Sequence, residues 1–371
     1  EYAYVASGWG DSLVGSNGLA ILDVRGKTQP RCVGFCPTFG NFRSLGSTRG
    51  VALDGNYAFV AGGTNGLHVI DVANPANPRR VGGCTAGGEV RAVALSGGYA
   101  YIADAKYGLR VIDVANPIVP ELIGTCPAAS PCDVATTGNY AYIADGTNGL
   151  QVIDIANPAA PKNVAGYVPK GATTEGVIIS GTYAYLNEVK NMVRIVDISN
   201  PTSPRLVREY SLVAAAAGGW GMAISGNYLY VAISFASPGL EIVDISDPAN
   251  PQRRGVYLEN LAWTWGDPHG LAIAGNYAYV GGFPFQVIDL ANPANPQRIG
   301  RCDTAGSAWG VADASHYAYV ADGTNGLEVI NFANPTNTQR VGGLPSGDFA
   351  RNVAVAGLYA YLADGTNGLQ V

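Results

Sequence analysis

Charge is scarce in this chain. Only 13% of residues are Asp, Glu, Lys or Arg, while 47% are hydrophobic. That excludes a disordered chain, which needs low hydrophobicity and high net charge. Long apolar runs are missing as well. None approaches the roughly 20 residues that a membrane-crossing helix requires, so this segment is not expected to insert into a bilayer. The net charge of −6 leaves no basic footprint of the kind nucleic acid selects. Histidine is limited to His68, His269 and His316, and there is no HExxH. A P-loop, a dinucleotide fingerprint and a G-x-S-x-G elbow are equally absent. The six cysteines form no CxxC pair, which argues against zinc ribbons and thioredoxin chemistry. No metal and no cofactor is expected. The first residue is Glu1, with no secretory leader after it, so the sequence reads as a processed chain or a part of a longer one.

What is present repeats. A Tyr-x-Tyr signal starts at Tyr2, Tyr57, Tyr99, Tyr140, Tyr183, Tyr228, Tyr277, Tyr317 and Tyr359, at steps of 55, 42, 41, 43, 45, 49, 40 and 42 residues. That spacing falls in the range of propeller blades. One unit reads as four short strands: "RAVALSG" (91–97, strand A), "YAYIAD" (99–104, B), "LRVIDV" (109–114, C) and "ELIGTC" (121–126, D). Each is rich in Val, Ile, Tyr and Ala and is bounded by Gly, Asn or Pro. Gly-Gly or Gly-Asn links A to B as a tight hairpin. "GTNG" links B to C with residues that tolerate positive φ. "ANPANP" links C to D, and its prolines end the strand. No stretch has a helical period, so helix is expected to stay below about 5%. The reading is a single all-β domain over 1–371. It is a β-propeller of eight blades with four antiparallel strands each; seven and nine are the alternatives.

The phrases "GLQVIDIANPAAP", "GLHVIDVANPANP" and "VRIVDISNPTSP" resemble the LVIVD repeat, and nine such units cover essentially the whole chain. The resemblance implies a propeller that works outside the cytoplasm, in an extracellular or cell-surface setting. It implies no activity. A scarcity of Lys beside Arg, with abundant Asn, Gly, Thr and Ala, fits the style of an exported bacterial protein.

Closure is ambiguous. The chain enters on a B strand and leaves inside a C strand. Residues 359–371 therefore compete with residues 2–24 for one place in the closing blade.

Where all copies agree, the blade itself is the reason. Asp23, Asp71, Asp113, Asp154, Asp197, Asp244 and Asp289, with Asn331 in the eighth copy, precede the "NPxxP" link and are expected to accept its N–H groups. Asp104, Asp145, Asp322 and Asp364 read as turn residues too. A calcium role would need an EF-hand-like run, and none exists. His68 occupies a variable position of strand C, expected to be wet, where other copies have Gln151 and Glu328.

Where single copies deviate, something besides the blade is asking for it. Deviations gather in the D–A and B–C links, which share one face of a propeller. Trp9, Trp220, Trp263, Trp265 and Trp309 all map there. They make either a binding surface or a plug for a wide channel. One position opens each A strand at the channel mouth. Around the ring it reads Arg49, Arg91, Cys132, Glu175, Trp220, His269, Trp309 and Arg351, followed by small or plain residues such as Gly50, Ala92, Asp133 and Gly176. Three Arg, a His and a Glu beside Trp suit an acidic glycan or a protein partner; the alternative is a solvated rim. In "CPAASPC", the Pro-flanked loop brings Cys126 and Cys132 forward as the one pair able to form a disulfide; the other reading is small buried thiols.

The leading reading is a binding or scaffold module. Its rivals are a hydrolase or lyase with a site at the channel mouth, built on His269, Glu175 and the arginines, and a structural spacer in a surface array.

Overall fold

The computed structural model describes residues 2–7, 18–23, 31–37, 50–63, 66–71, 73, 79–85, 87–189, 192–213, 219–233, 239–258, 271–281, 285–302, 308, 310–314, 317–323, 325–331, 338–344, 350–356, 359–364 and 369–370. Every regular element among them is a strand. Seven sheets have four antiparallel strands each, spanning 50–84, 90–126, 133–167, 174–211, 219–258, 271–302 and 310–344; they are called sheets 1 to 7 here. Within each, the strands lie in chain order, A to D. In sheet 2 they are Val90–Ser96, Tyr99–Asp104, Gly108–Asp113 and Glu121–Cys126, within a residue of the sequence reading.

The expected count of eight four-stranded blades is not met; seven are. The remaining strands form one six-stranded sheet from both ends of the chain. Its order is Arg31–Pro37, Gly18–Asp23, Tyr2–Ser7, Leu369–Gln370, Tyr359–Asp364, Ala350–Ala356. The competition foreseen between residues 2–24 and 359–371 ends in accommodation. Two B-type strands lie in parallel, pairing Tyr4 with Tyr361 and Val5 with Leu362. The two-residue strand Leu369–Gln370 wedges between them, with Gln370 paired to both Ala6 and Leu362. The A strands of consecutive sheets touch in a closed circuit from Gly50–Asp54 round to Ala350–Ala356 and back.

In sheets 1 to 6 the A–B hairpin turns on a glycine at positive φ, for example Gly97 at 60° and Gly138 at 54°, a region that side chains with a Cβ disfavour. Strand B then alternates between two interfaces. Ala100 and Ile102 pack back on Phe59, Leu67 and Val69 of sheet 1, and Tyr101 and Ala103 pack forward on Val134, Ala141 and Ile143 of sheet 3. A small residue on one strand thus leaves room for a large one on the next sheet, which is how twisted sheets interlock at interior density.

The C–D links do more than end a strand. In sheet 2 the link at 116–120 lies on strand D of sheet 1, so a Cβ at Gly82 would stand 2.1 Å from Pro117 O. Gly124 meets Pro158 O and Gly255 meets Pro293 O in the same way, at 2.2 and 2.1 Å. The repeated Gly of strand D and the repeated "NPxxP" are two halves of one latch between sheets. The Asp before that link behaves as expected. Asp71, Asp113, Asp154, Asp197, Asp244 and Asp289 each accept the backbone N–H two residues on, at 2.8–3.0 Å.

One expectation is overturned. The variable position of strand C is not wet: His68 is 2% exposed, Arg110 6%, Arg194 4%, Glu241 0% and Glu328 1%. These side chains lie between sheets, and the charged ones find partners there. Arg110 Nη1 donates to Asp104 (3.4 Å). Arg194 donates to Glu209 (2.9 Å) and pairs with Glu188. Glu241 accepts from Tyr210 Oη (2.6 Å) and Val213 N (2.8 Å) of the preceding sheet and from Arg253 Nε (2.9 Å). Glu328 pairs with Arg340.

Candidate functional site

The position that opens each A strand has a structural signature. Strand A pairs with strand B on both sides of it, but the register skips it. The skip falls between Val90 and Ala92, Thr174 and Gly176, Gly219 and Met222, and Ala350 and Asn352. Arg91, Glu175, Trp220 and Arg351 therefore stand in β-bulges. A bulge leaves its residue out of the ladder and re-aims its side chain, and bulges recur at barrel rims and beside functional sites.

The residue just before the bulge is held by the neighbouring sheet. Val90 N donates to Gly63 O (2.9 Å), Thr174 N to Gly146 O (2.9 Å) and Ala350 N to Gly323 O (2.8 Å). Gly63, Gly146 and Gly323 all come from the "GTNG" link of the sheet before, and each forms an isolated bridge with its partner. The link's aspartate anchors a second segment. Asp145 accepts from Ala129 N (3.2 Å), Ser130 N (2.6 Å) and Asn148 Nδ2 (3.0 Å), fixing the D–A link that leads into sheet 3. It is more than local turn chemistry.

In sheets 2 to 4 the rim is described in full. Arg91 Nη1 lies 3.7 Å from Cys132 Sγ, and its Nη2 lies 3.5 Å from Glu89 Oε2. Cys132 donates to Ser130 O (3.3 Å). Burial pushes the Cys132 thiol up, against the lowering effect of Arg91, so it is no ready nucleophile. Burial also raises the Glu175 carboxyl. Asp133, read from the sequence as a plain residue following the variable one, is a desolvated carboxylate with its pKa raised by burial. It accepts from Val134 N (2.8 Å) and, across to sheet 4, from Val177 N (3.1 Å). Its signal was visible: the same place is Gly or Ala in most copies.

For Trp220 and Arg351 the structure gives the backbone position. Trp9, Arg49, Trp263, Trp265, His269, Trp309 and His316 lie outside the described residues. Among the described residues no three His, Cys, Asp or Glu are grouped to hold a metal ion, and no helix is long and apolar enough to cross a membrane. Cys126 and Cys132 are free thiols in the structure. Cys126 ends the outermost strand of sheet 2, and Cys132 precedes the innermost strand of sheet 3. Three strand spacings of about 4.8 Å separate those radii, more than the roughly 7 Å a disulfide spans.

Antiparallel sheets in a circuit, latched edge to face and presenting a bulged residue from four of the inner strands, define a repeat-built β-propeller. The LVIVD repeat model matches residues 1–38, 45–86, 87–127, 129–168, 171–211, 219–259, 265–304, 305–342 and 347–371, and the chain belongs to the LVIVD-repeat family. No curated protein matches it in sequence. Among solved structures it is similar to Sqt1 of Saccharomyces cerevisiae (TM-score 0.70, 8% identity, 88% of this chain and 96% of that one). It is similar also to the computationally designed Ika8 protein (0.67, 10%, 88% and 96%) and to BamB from Moraxella catarrhalis (0.65, 12%, 86% and 92%). At such identities the likeness speaks to the fold alone.

Proposed function

We propose that this chain is a non-catalytic binding module acting outside the cell, at a cell surface, and that the D–A and B–C links at the channel mouth are its binding face. The six-stranded sheet completes the ring as an eighth blade. The observation that carries the reading is the bulge. The same backbone device recurs in sheets 2, 4 and 5 and in the closing sheet, yet it presents Arg91, Glu175, Trp220 and Arg351. A device kept constant while its side chain changes is a scaffold for recognition, because the fold itself asks nothing of that side chain. Arg forks recognise carboxylates or sulfates in two-pronged fashion, and Trp faces stack on sugars or partner side chains. The ligand is accordingly a protein segment or an acidic glycan.

A glycan and peptide array probed with the wild type and with a Trp220→Ala, Arg351→Ala double variant tests this. Binding that the double variant loses supports it. An array on which the wild type binds nothing, or on which both bind equally, rejects the face and favours a structural spacer.

A further inference from the structure

The described rim carries opposite charges that do not meet. Arg91 stands at the bulge of sheet 2 and Glu175 at that of sheet 4. Cys132 of the sheet between them lies 3.7 Å from Arg91 Nη1 and close enough to Glu175 to feel its charge. Arg91 is incompletely used: its link to Glu89 is a long 3.5 Å, and its Nε is buried with no hydrogen-bond partner among the described residues. Glu175 is half-buried and makes no hydrogen bond or ion pair with any described residue. Asp133 turns to the backbone instead, accepting from Val134 N and Val177 N.

A carboxylate partly removed from water with no donor beside it is unfavourable, and an arriving cation relieves that cost. Burial alone accounts for the raised pKa of Glu175, which agrees with the lack of a partner. An acidic glycan has no cation to offer; it would set like charge against Glu175, which is a penalty rather than a contact. A polypeptide can offer both signs a residue or two apart.

We infer that this sector is a subsite for a mixed-charge segment of a partner protein, with a Lys or Arg side chain on Glu175 and an Asp or Glu carboxylate on Arg91, straddling Cys132. This rests on the reading of the channel mouth as the binding face. It narrows the ligand from a protein segment or an acidic glycan to an ampholytic peptide.

The test uses the full chain and fluorescence anisotropy. Three short labelled peptides on a common Gly-Ser background serve as probes: one with adjacent Lys and Asp, one with Asp alone and one with Lys alone. Fluorescent heparin is the glycan arm. The mixed-charge peptide is expected to bind about tenfold more tightly than the Asp peptide, the scale of one added charge-assisted contact. Glu175→Gln is expected to erase that preference, weakening the mixed-charge peptide and somewhat tightening the Asp peptide as the like charge is removed. Arg91→Gln is expected to weaken the mixed-charge and Asp peptides together. Glu121→Gln, exposed on the outer strand of sheet 2, is expected to change nothing. Glu175 has no described partner to lose, so its variant is expected to keep the wild-type circular dichroism spectrum and melting temperature. If heparin or the Asp peptide binds as tightly as the mixed-charge peptide, and Glu175→Gln is silent, the subsite is wrong and the binding face survives. If no probe binds the wild type, subsite and face fall together.

Discussion

His68 makes stability depend on pH in a way that one substitution can isolate. Its ring is 2% exposed, and its Nδ1 has no hydrogen-bond partner among the described residues. It fits only because residue 62 lacks a Cβ, which would stand 2.6 Å from the ring. Burial, and secondarily the Arg80 charge, lower its pKa from 6.5 to about 3. The sign follows from proton uptake. Above pH 6.5 the imidazole is neutral in both states. Between pH 6.5 and about 3 the unfolded chain binds a proton that the folded chain refuses, so stability falls as the solution is acidified. At about 1.4 kcal/mol for each pH unit, the loss is about 2 kcal/mol at pH 5 and approaches about 5 kcal/mol near pH 3. His68→Gln removes this effect while keeping a side chain that the repeat already uses at the same place, Gln151 and Gln286. Urea titrations of both proteins at pH 7, 5 and 4 are the assay. The gap in unfolding free energy between variant and wild type should move by about 2 kcal/mol in the variant's favour from pH 7 to pH 5. Parallel pH profiles would refute the reasoning, since the other titrating groups are common to both chains.

Two further substitutions probe the scaffold. Gly124→Ala places a Cβ 2.2 Å from Pro158 O; it should lower stability by about 1–3 kcal/mol in thermal or urea unfolding, with the latch between sheets 2 and 3 forced apart. Asp145→Ala strips acceptors from Ala129 N and Ser130 N and should cost about 1–3 kcal/mol, with faster hydrogen exchange in the link at 127–131. Asp113→Ala, which frees one exposed N–H, should cost less than Asp145→Ala in the same assay.

Much of the blade was legible because its signals are local. Gly97, Gly138 and Gly181 mark hairpins whose φ lies at 54–60° in the folded chain, the mirror image of the α-helical region, which is open to glycine. Closure was not legible, because "YAYVAS" at one end and "YAYLAD" at the other spell the same strand, and pairing alone decides that both enter one sheet. The buried polar residues of strand C were misread for a different reason. Variability looks like exposure when each copy solves the same burial with a different partner. The signal was internal covariation. Arg110 and Arg194 come with Leu122 and Leu206 on strand D, whereas the acid at the end of strand B does not covary, since Asp145 and Asp322 stand there beside Gln151 and Glu328. Glu241 and Glu328 come with Arg253 and Arg340 on strand D. At the rim the sequence singled out one variable position, but it did not show the bulge there, which at Arg91, Glu175 and Arg351 follows a bridge from the neighbouring sheet that no single unit contains.

The same covariation bears on how similar units avoid assembling in the wrong order. Repeat arrays misassemble because neighbouring interfaces are alike, and the apolar cores here are nearly interchangeable. The buried residue of strand C is not. Glu241 faces three donors, Tyr210 Oη, Val213 N and Arg253 Nε, whereas Arg194 at the same place in sheet 4 meets the acceptors Glu188 and Glu209. A guanidinium at 241 would stand against a second guanidinium and a backbone N–H, with only the Tyr210 hydroxyl oxygen placed to accept from it. Breaking a buried pair in this way costs about 3–5 kcal/mol; Arg253, with 44% of its side chain exposed, can turn to water and bring the figure toward the lower end. Glu241→Arg is therefore expected to lose about 3 kcal/mol or to misfold. Adding Ile233→Glu and Arg253→Leu transplants part of the set of sheet 4, where Glu188 and Leu206 hold those places, while Val256 stays where sheet 4 has Glu209. The triple variant should recover a large part of the loss, and the remainder measures the unpaired Tyr210 and Val213 donors. The readout is urea unfolding of the three proteins, with size-exclusion chromatography to detect swapped oligomers. A Glu241→Arg variant as stable and monomeric as the wild type would mean that the buried charges do not select neighbours, and that the order of the sheets rests on chain connectivity alone.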